Sequence, residues 1–538
     1  MSSRETISQS VLIPVRRISM NNIRNLMVLM ILVGLVAGCN LNATNPATSF
    51  PVTGTQPPLA TATPTLERPL AYGPAFEVNA CPFEVPNGYN PICGTLTVPE
   101  NRSQPGGRTI HLAVAIFKSS SPDPAPDAVI QLTGGPGSSA LMNAAPIVRS
   151  TSGTYILGRR DYILFDQRGV GYSQPNLYCQ PYDEYLWSAR ERNISTSEYN
   201  AGALLLLENC LADWRAQGIN LAAYNSVENA ADVDDLRLAL GYDQVNLYGT
   251  SYGSLLALTV MRNHPEGIRS VILDSVDPPQ ASIDLDLARH ADRALGLLFS
   301  GCAESASCAA QYGDLKTQFY ATVDRLEANP VVVEVNGPYR SSPYKVYLDG
   351  DLFIDTIFAG LYSVDSLSDL PHLIQAAYDE HYSELSDSIG GGAIGSPLST
   401  GMFWTIWCGE QVLFEINAGP LPEGIPPQLS SHFSIQPLVD TCQLWNLPAV
   451  DPSENKPVSS DIPTLIFAGQ HDPITPPNYA ESVAETLNHH YYYLFPNMAH
   501  GVMRSDWCAL RIGMDFLDDP SHEPETSCMH DLPDISFP

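Results

Sequence analysis

Gln244-Val-Asn-Leu-Tyr248 runs straight into Gly249-Thr-Ser251-Tyr-Gly253, and a helical apolar stretch follows through Met261. An apolar run that stops at a glycine-bounded Ser and resumes with helical spacing reads as strand, sharp turn, helix. Glycines at both ends keep Cβ atoms out of the bend, which projects the Ser251 hydroxyl off the sheet edge. The helix behind it offers unpaired N–H groups and its positive dipole end to a developing oxyanion. G-x-S-x-G is short and recurs by chance. Its setting between strand and helix is what makes Ser251 a candidate nucleophile.

Outward from this turn, short apolar runs alternate with helical patterns. Ala128-Val-Ile-Gln-Leu-Thr133, Tyr162-Ile-Leu-Phe-Asp166, Arg269-Ser-Val-Ile-Leu-Asp274, Pro463-Thr-Leu-Ile-Phe-Ala468 and Tyr491-Tyr-Tyr-Leu-Phe495 are strand candidates. Residues 229–240 carry Ala230, Val233, Leu236 and Leu240 at helical spacing. Buried strands separated by helices predict an α/β fold, a mostly parallel sheet covered on both faces. Between about 281 and 460 the rhythm changes to helical patterns and Pro/Gly-rich loops, which predicts a largely helical cap inserted over the sheet edge. The expected core then comprises residues 76–280 and 461–538.

A Ser hydroxyl needs a base, and the base needs an orienting carboxylate. Asp472 stands just after the strand ending at Ala468, within Gly469-Gln-His-Asp472-Pro-Ile-Thr-Pro476. His500 stands after the next strand, in Phe495-Pro-Asn-Met-Ala-His500-Gly501. The chain order Ser, acid, His suits this class of turn, and both residues fall at the edge that carries Ser251. Asp440 and Asp461 are weaker candidates for the acid, because neither follows a strand end. Asp472 has a second reading, as a cap for the helix after Pro476. Thr133-Gly-Gly-Pro-Gly137 follows the first strand of the set, so a backbone N–H of Gly134 or Gly135, with that of Tyr252, is expected to form an oxyanion hole. Asp166 and Arg168, in Asp166-Gln-Arg-Gly-Val-Gly171, read as loop anchors rather than chemistry.

The start of the chain bears on compartment. Arg16, Arg17 and Arg24 precede the apolar stretch Leu26–Ala37, which ends at Gly38-Cys39. A basic region, a short apolar region and small residues describe a secretory signal over 1–38, with Met20 an alternative start. Val36-Ala-Gly-Cys39 resembles the bacterial lipobox, which makes Cys39 the expected lipidation site. Residues 39–75 are rich in Thr, Pro, Ala and Asn and read as a tether. Beyond Cys39 there are ten cysteines, an even set that suggests five disulfides, with sequential pairing the simplest arrangement. No C-x-x-C occurs, and no metal or other cofactor is expected. The chain has 58 acidic and 27 basic residues, a net charge of −31. That balance excludes nucleic acid as a partner and leaves a lipid anchor as the expected route to a membrane.

Taken together, Gly134-Gly-Pro-Gly137, Asp166-Gln-Arg-Gly169, Gly249-Thr-Ser-Tyr-Gly253, Asp472-Pro-Ile-Thr-Pro476 and His500-Gly501 resemble the α/β-hydrolase exopeptidases. Within them the chain is most similar to the secreted bacterial tripeptidyl aminopeptidases, relatives of proline iminopeptidase. The likeness spans about residues 76–530, and includes Cys93-Gly-Thr-Leu-Thr-Val98, Trp407-Cys-Gly-Glu410 and the Cys508–Cys528 segment. Thr133 replaces a His usual in proline iminopeptidases, and Ala499 replaces a frequent Gly. The resemblance implies an α/β-hydrolase fold and attack by Ser251 on a peptide carbonyl near a free N-terminus, with His500 as base and then acid. A cap carboxylate would read the substrate ammonium, and Glu410, beside Cys408, is the candidate; it also reads as a surface Glu next to a structural Cys. A carboxylic-ester hydrolase uses the same triad, and a binding lipoprotein that keeps the fold without turnover is the alternative from another class.

Overall fold

The computed structural model describes residues 74–533 except 282, 338–342, 392–397 and 416–423, together with Ile535 and Phe537. The expected signal, Cys39 and nearly all of the tether lie outside the described residues. A nine-stranded sheet is built from β1 (Ala75–Val78), β2 (Ile92–Pro99), β3 (Thr109–Phe117), β4 (Ala128–Leu132), β5 (Tyr162–Phe165), β6 (Val245–Ser251) and β7 (Ile268–Val276). After a hairpin of β8 (Val331–Val335) and β9 (Tyr344–Leu348), it is completed by β10 (Thr464–Gly469) and β11 (His490–Phe495). The order is β1-β2-β3-β5-β4-β6-β7-β10-β11. From β5 to β11 every neighbouring pair is parallel, while β1, β2 and β3 join antiparallel at one side.

Alternation along single strands explains why both faces are covered. Ile130, Leu247, Leu273 and Ile466 enter one apolar core, with the helices Ser226–Leu240 and Tyr252–Asn263. Val129, Tyr248, Ile272 and Phe467 enter the other, with Ala144–Arg149, Thr151–Leu157 and Trp507–Asp518. Because successive side chains point to opposite faces, a strand buried on both sides is apolar at most positions. β4, β5 and β10 are buried at every position.

The residues between β7 and β10 do not form one unit, as the cap reading supposed. Ile283–Glu304, Leu315–Ala328, the β8–β9 hairpin, Gly350–Gly360 and Leu370–Tyr378 pack around a core of their own, which Leu429 and Phe433 complete. Thr400–Ile406 and Gln436–Trp445 instead sink Met402, Phe403, Trp404, Leu438 and Trp445 into the main core, against Leu207 and Leu211 of the helix Thr196–Ala216.

All ten described cysteines pair sequentially: Cys81–Cys93, Cys179–Cys210, Cys302–Cys308, Cys408–Cys442 and Cys508–Cys528. Such a set fits a secreted protein, since disulfides persist in oxidising compartments. Among the described residues no helix is long and apolar enough to cross a membrane.

Candidate active site

Ser251 ends β6 with φ 59° and ψ −131°, a conformation that an L residue adopts only when its surroundings enforce it. The surroundings are glycines. A Cβ on Gly249 would stand 2.3 Å from the Gly253 carbonyl oxygen, and one on Gly253 would stand 2.0 Å from that of Leu132. Strand and helix therefore meet closely enough to force the turn. Tyr252 is the first residue of the helix, so its N–H has no partner within it.

The loop after β4 lies against Ser251. A Cβ on Gly134 would stand 2.9 Å from Ser251 Cβ, and Gly135 has φ 117°. Gln167 Nε2 donates to the Thr133 carbonyl at 2.9 Å, and Asp166 accepts from Ser139 Oγ and the Leu141 N–H at 2.7 and 3.0 Å. Arg168 is fully buried and pairs with Asp232 at 2.8 Å. Both residues anchor loops, as the sequence suggests.

Asp472 Oδ2 and His500 Nδ1 are 2.8 Å apart, which leaves Nε2 as the nitrogen for a reacting hydroxyl. Asp472 is buried, and Oδ1 accepts the N–H groups of Ile474 and Thr475 at 3.0 and 2.9 Å. Burial alone would raise its pKa; the His500 imidazole and these donors outweigh it and hold the group below its ordinary value. The helix that begins at Pro477 draws no cap bond from a side chain, so Asp472 serves the histidine and not the helix.

His500 is placed from both sides. Its N–H donates to the Tyr362 carbonyl at 3.2 Å, and its ring packs edge-on to Tyr362 at 5.3 Å. Gly501 N–H donates to Ser275 Oγ at 2.7 Å. Asp274, at the end of β7, takes the N–H groups of Val502 and Met503 at 2.7 and 3.0 Å. Because Ser251 pairs with Val276 in the sheet, β7 ties the histidine loop to the serine turn. The C-terminal ends of β4, β6, β10 and β11 thus bring Gly134, Ser251, Asp472 and His500 to one edge, with acid and imidazole hydrogen-bonded.

This constellation meets a family match at two places. The α/β-hydrolase fold family matches residues 127–294, and a TAP-like protein family matches residues 427–528. The chain has the α/β-hydrolase fold. Serine protease Hip1 of Mycobacterium tuberculosis is 26% identical to this hydrolase over 456 residues, 79% of this chain and 84% of that protein. Tripeptidyl aminopeptidase of Streptomyces lividans is 31% identical over 212 residues, 36% of this chain and 38% of that protein. Carboxylesterase B of Mycobacterium tuberculosis is 25% identical over 430 residues, 73% and 78% of the two chains. The hydrolase is thus an enzyme of the serine type with relatives that bear both peptidase and esterase names.

Glu410 is buried in the π-helical stretch Trp407–Gln411, not on the surface. Its Oε1 accepts the Ser226 N–H at 2.5 Å, and Ser226 Oγ is 2.9 Å from the Tyr252 hydroxyl, next to the nucleophile. Two carboxylates that the sequence reading missed share this region. Asp277 follows β7, and its N–H donates to Ser254 Oγ at 2.8 Å, which in turn donates to the Ser251 carbonyl at 2.6 Å. Asp284 opens the helix Ile283–Glu304. Both are at least nine-tenths buried, and Asp277 Oδ1 and both Asp284 oxygens have no hydrogen-bond partner. Burial raises all three pKa values: Asp284 and Glu410 to about 7, and Asp277 well above its ordinary value, with the facing Asp284 and Glu410 adding to the effect. The signal for Asp277 was its place at a strand end, in Leu273-Asp-Ser-Val-Asp277-Pro-Pro279. Asp284 carries no such signal.

Proposed function

We propose that this hydrolase is an extracytoplasmic serine exopeptidase that removes short N-terminal peptides or residues. The observation that carries the reading is the buried trio Asp277, Asp284 and Glu410 beside the serine turn. Burying carboxylates without cations is costly, and an entering ammonium relieves that cost while supplying the missing donors. A free N-terminus is the ammonium every peptide carries.

In the reaction, Ser251 Oγ attacks the scissile carbonyl as His500 Nε2 takes its proton, and Asp472 stabilises the imidazolium. N–H groups of Gly134 or Gly135 and of Tyr252 receive the oxyanion. His500 returns the proton to the leaving amine, and water repeats the sequence on the acyl-enzyme. The relatives named serine protease and tripeptidyl aminopeptidase support a peptide substrate. A lipid on Cys39 and the 39–75 tether would hold the enzyme at the outer face of a membrane.

Carboxylic-ester hydrolysis is the second reading, favoured by the carboxylesterase relative, since the triad alone does not discriminate. Matched peptides with free and acetylated N-termini decide, with products read by mass spectrometry and Ser251→Ala as the blank. Cleavage of the free peptide alone is expected. If neither peptide is cut while a short acyl ester is hydrolysed, the esterase reading replaces this one.

A further inference from the structure

The loop that carries Asp472 is held from the cap side by one face of a single helix. Arg293, in Ile283–Glu304, donates from Nη1 to the Gln470 carbonyl at 2.7 Å and from Nη2 to the Asp472 carbonyl. One turn earlier, His290 Nδ1 meets the Ile474 carbonyl at 3.1 Å, and its ring packs edge-on to Tyr479. Residues three apart on a helix share a face, so Arg293 and His290 together grip three alternate carbonyls, those of 470, 472 and 474.

That grip decides where the intervening N–H groups point. Gln470 and His471 donate to Phe495 and Met498 of the histidine loop at 3.0 and 2.9 Å. Ile474 and Thr475 donate to the Asp472 carboxylate. Arg293 has no carboxylate in ion-pair contact among the described residues, and its Nε has no partner. A guanidinium is well shaped to bridge two carbonyls at once, which a lysine ammonium does not match.

We propose that Arg293 is a positioning residue for the triad, fixing the Asp472 loop against His500 and making the seating of the cap a condition of catalysis. The proposal rests on reading Asp472 and His500 as the acid and base. The charge of Arg293 faces Asp472, with His290 and His471 beside it and Arg289 on the same helix. Burial lowers both histidines to about 4, with Arg293 adding to the effect, so both are neutral at neutral pH. Arg289 is paired with Asp286 at 2.8 Å.

The test uses Arg293→Met and Arg293→Lys in the full chain, assayed on an activated acyl ester across pH. Such an ester reads the triad whatever the natural substrate is, so failure to cut any peptide would sink the exopeptidase reading and leave this test intact. Arg293→Met is expected to lower kcat by roughly 10²-fold with little change in KM, the scale of a small misplacement of a reacting group. Losing a cation beside Asp472 favours the imidazolium, so the acid limb of kcat/KM is expected at higher pH. Arg293→Lys keeps the charge and loses the bridge, so kcat falls while the limb stays. A folded Arg293→Met enzyme with unchanged kcat and limb overturns the proposal, as does a loss confined to KM. If the Met variant does not fold, wild-type kcat in Arg293→Lys overturns it.

Discussion

Both oxygens of Asp284 lack a partner, and burial holds its pKa at about 7, against about 3.9 for an aspartate in an unfolded chain. Between those values the folded protein keeps a proton that the unfolded chain has released. Stability from this group is therefore full below about pH 4 and lost as pH rises through about 7. Asparagine has nearly the same shape and cannot ionise. Asp284→Asn is expected to raise the melting temperature at pH 8 by roughly 2–4 °C, a shift of about 1 kcal/mol, and to leave it nearly unchanged at pH 4. The same variant should raise KM for peptides with a free amine several-fold, the usual exchange of function for stability. Thermal melts at the two pH values, with KM beside them, check both halves. Equal destabilisation at both pH values would mean that Asp284 holds structure and takes no ligand.

Elements of the cap are joined by a histidine with two acidic partners. His432 ends the helix Pro427–His432, and its Nδ1 and Nε2 lie 3.0 and 2.9 Å from Asp351 and Asp355 of Gly350–Gly360. Asp355 also meets Arg190, from Gln180–Arg190, at 3.2 Å. Burial would lower the His432 pKa, but Asp355 and Asp351 outweigh it and raise the group to about 9. A raised histidine stabilises fully below its unfolded value of about 6.5 and ceases to do so as pH passes its folded value. The melting temperature should therefore fall from pH 7 to pH 10, and His432→Gln should flatten that fall; an equal slope in the variant would exclude His432 as its source. Elements of this kind were the least legible in the sequence. β4, β5, β6, β7 and β10 announce themselves as largely apolar runs because they are buried on two faces, and the edge strand β11 does so through its aromatic run although only Phe495 is buried. β1 is short and largely exposed, and β8 and β9 pair with each other inside an insertion, with buried positions alternating with exposed or half-buried ones. The fusion of 398–412 and 436–458 with the main core is hidden because the partners of these segments, such as Leu207 and Leu211, lie far along the chain.

At the scale of the whole molecule, legibility follows the distance over which a site is assembled. Gly134, Ser251, Asp472 and His500 each sit at or shortly after the end of a recognisable strand, so the topology alone carries them to one edge. Asp277, Asp284 and Glu410 come from a strand end, a helix start and a distant π-helical stretch, and only the folded packing brings them together. They also belong to a molecule whose net charge is −31, so the field outside continues the sign of the field within. A cationic N-terminus is drawn toward such a surface, and salt screens that attraction once the Debye length falls below about 10 Å. Between about 20 mM and about 500 mM salt, kcat/KM for an amidated peptide with a free amine is expected to fall roughly 3- to 10-fold. An uncharged acyl ester, which meets the same triad without the ammonium, should show almost no change. Assaying both substrates over one salt series separates attraction of the substrate from an effect of salt on the enzyme. If the two fall together, salt acts on the fold or the triad; if neither falls, the acidic surface serves solubility alone and takes no part in gathering substrate.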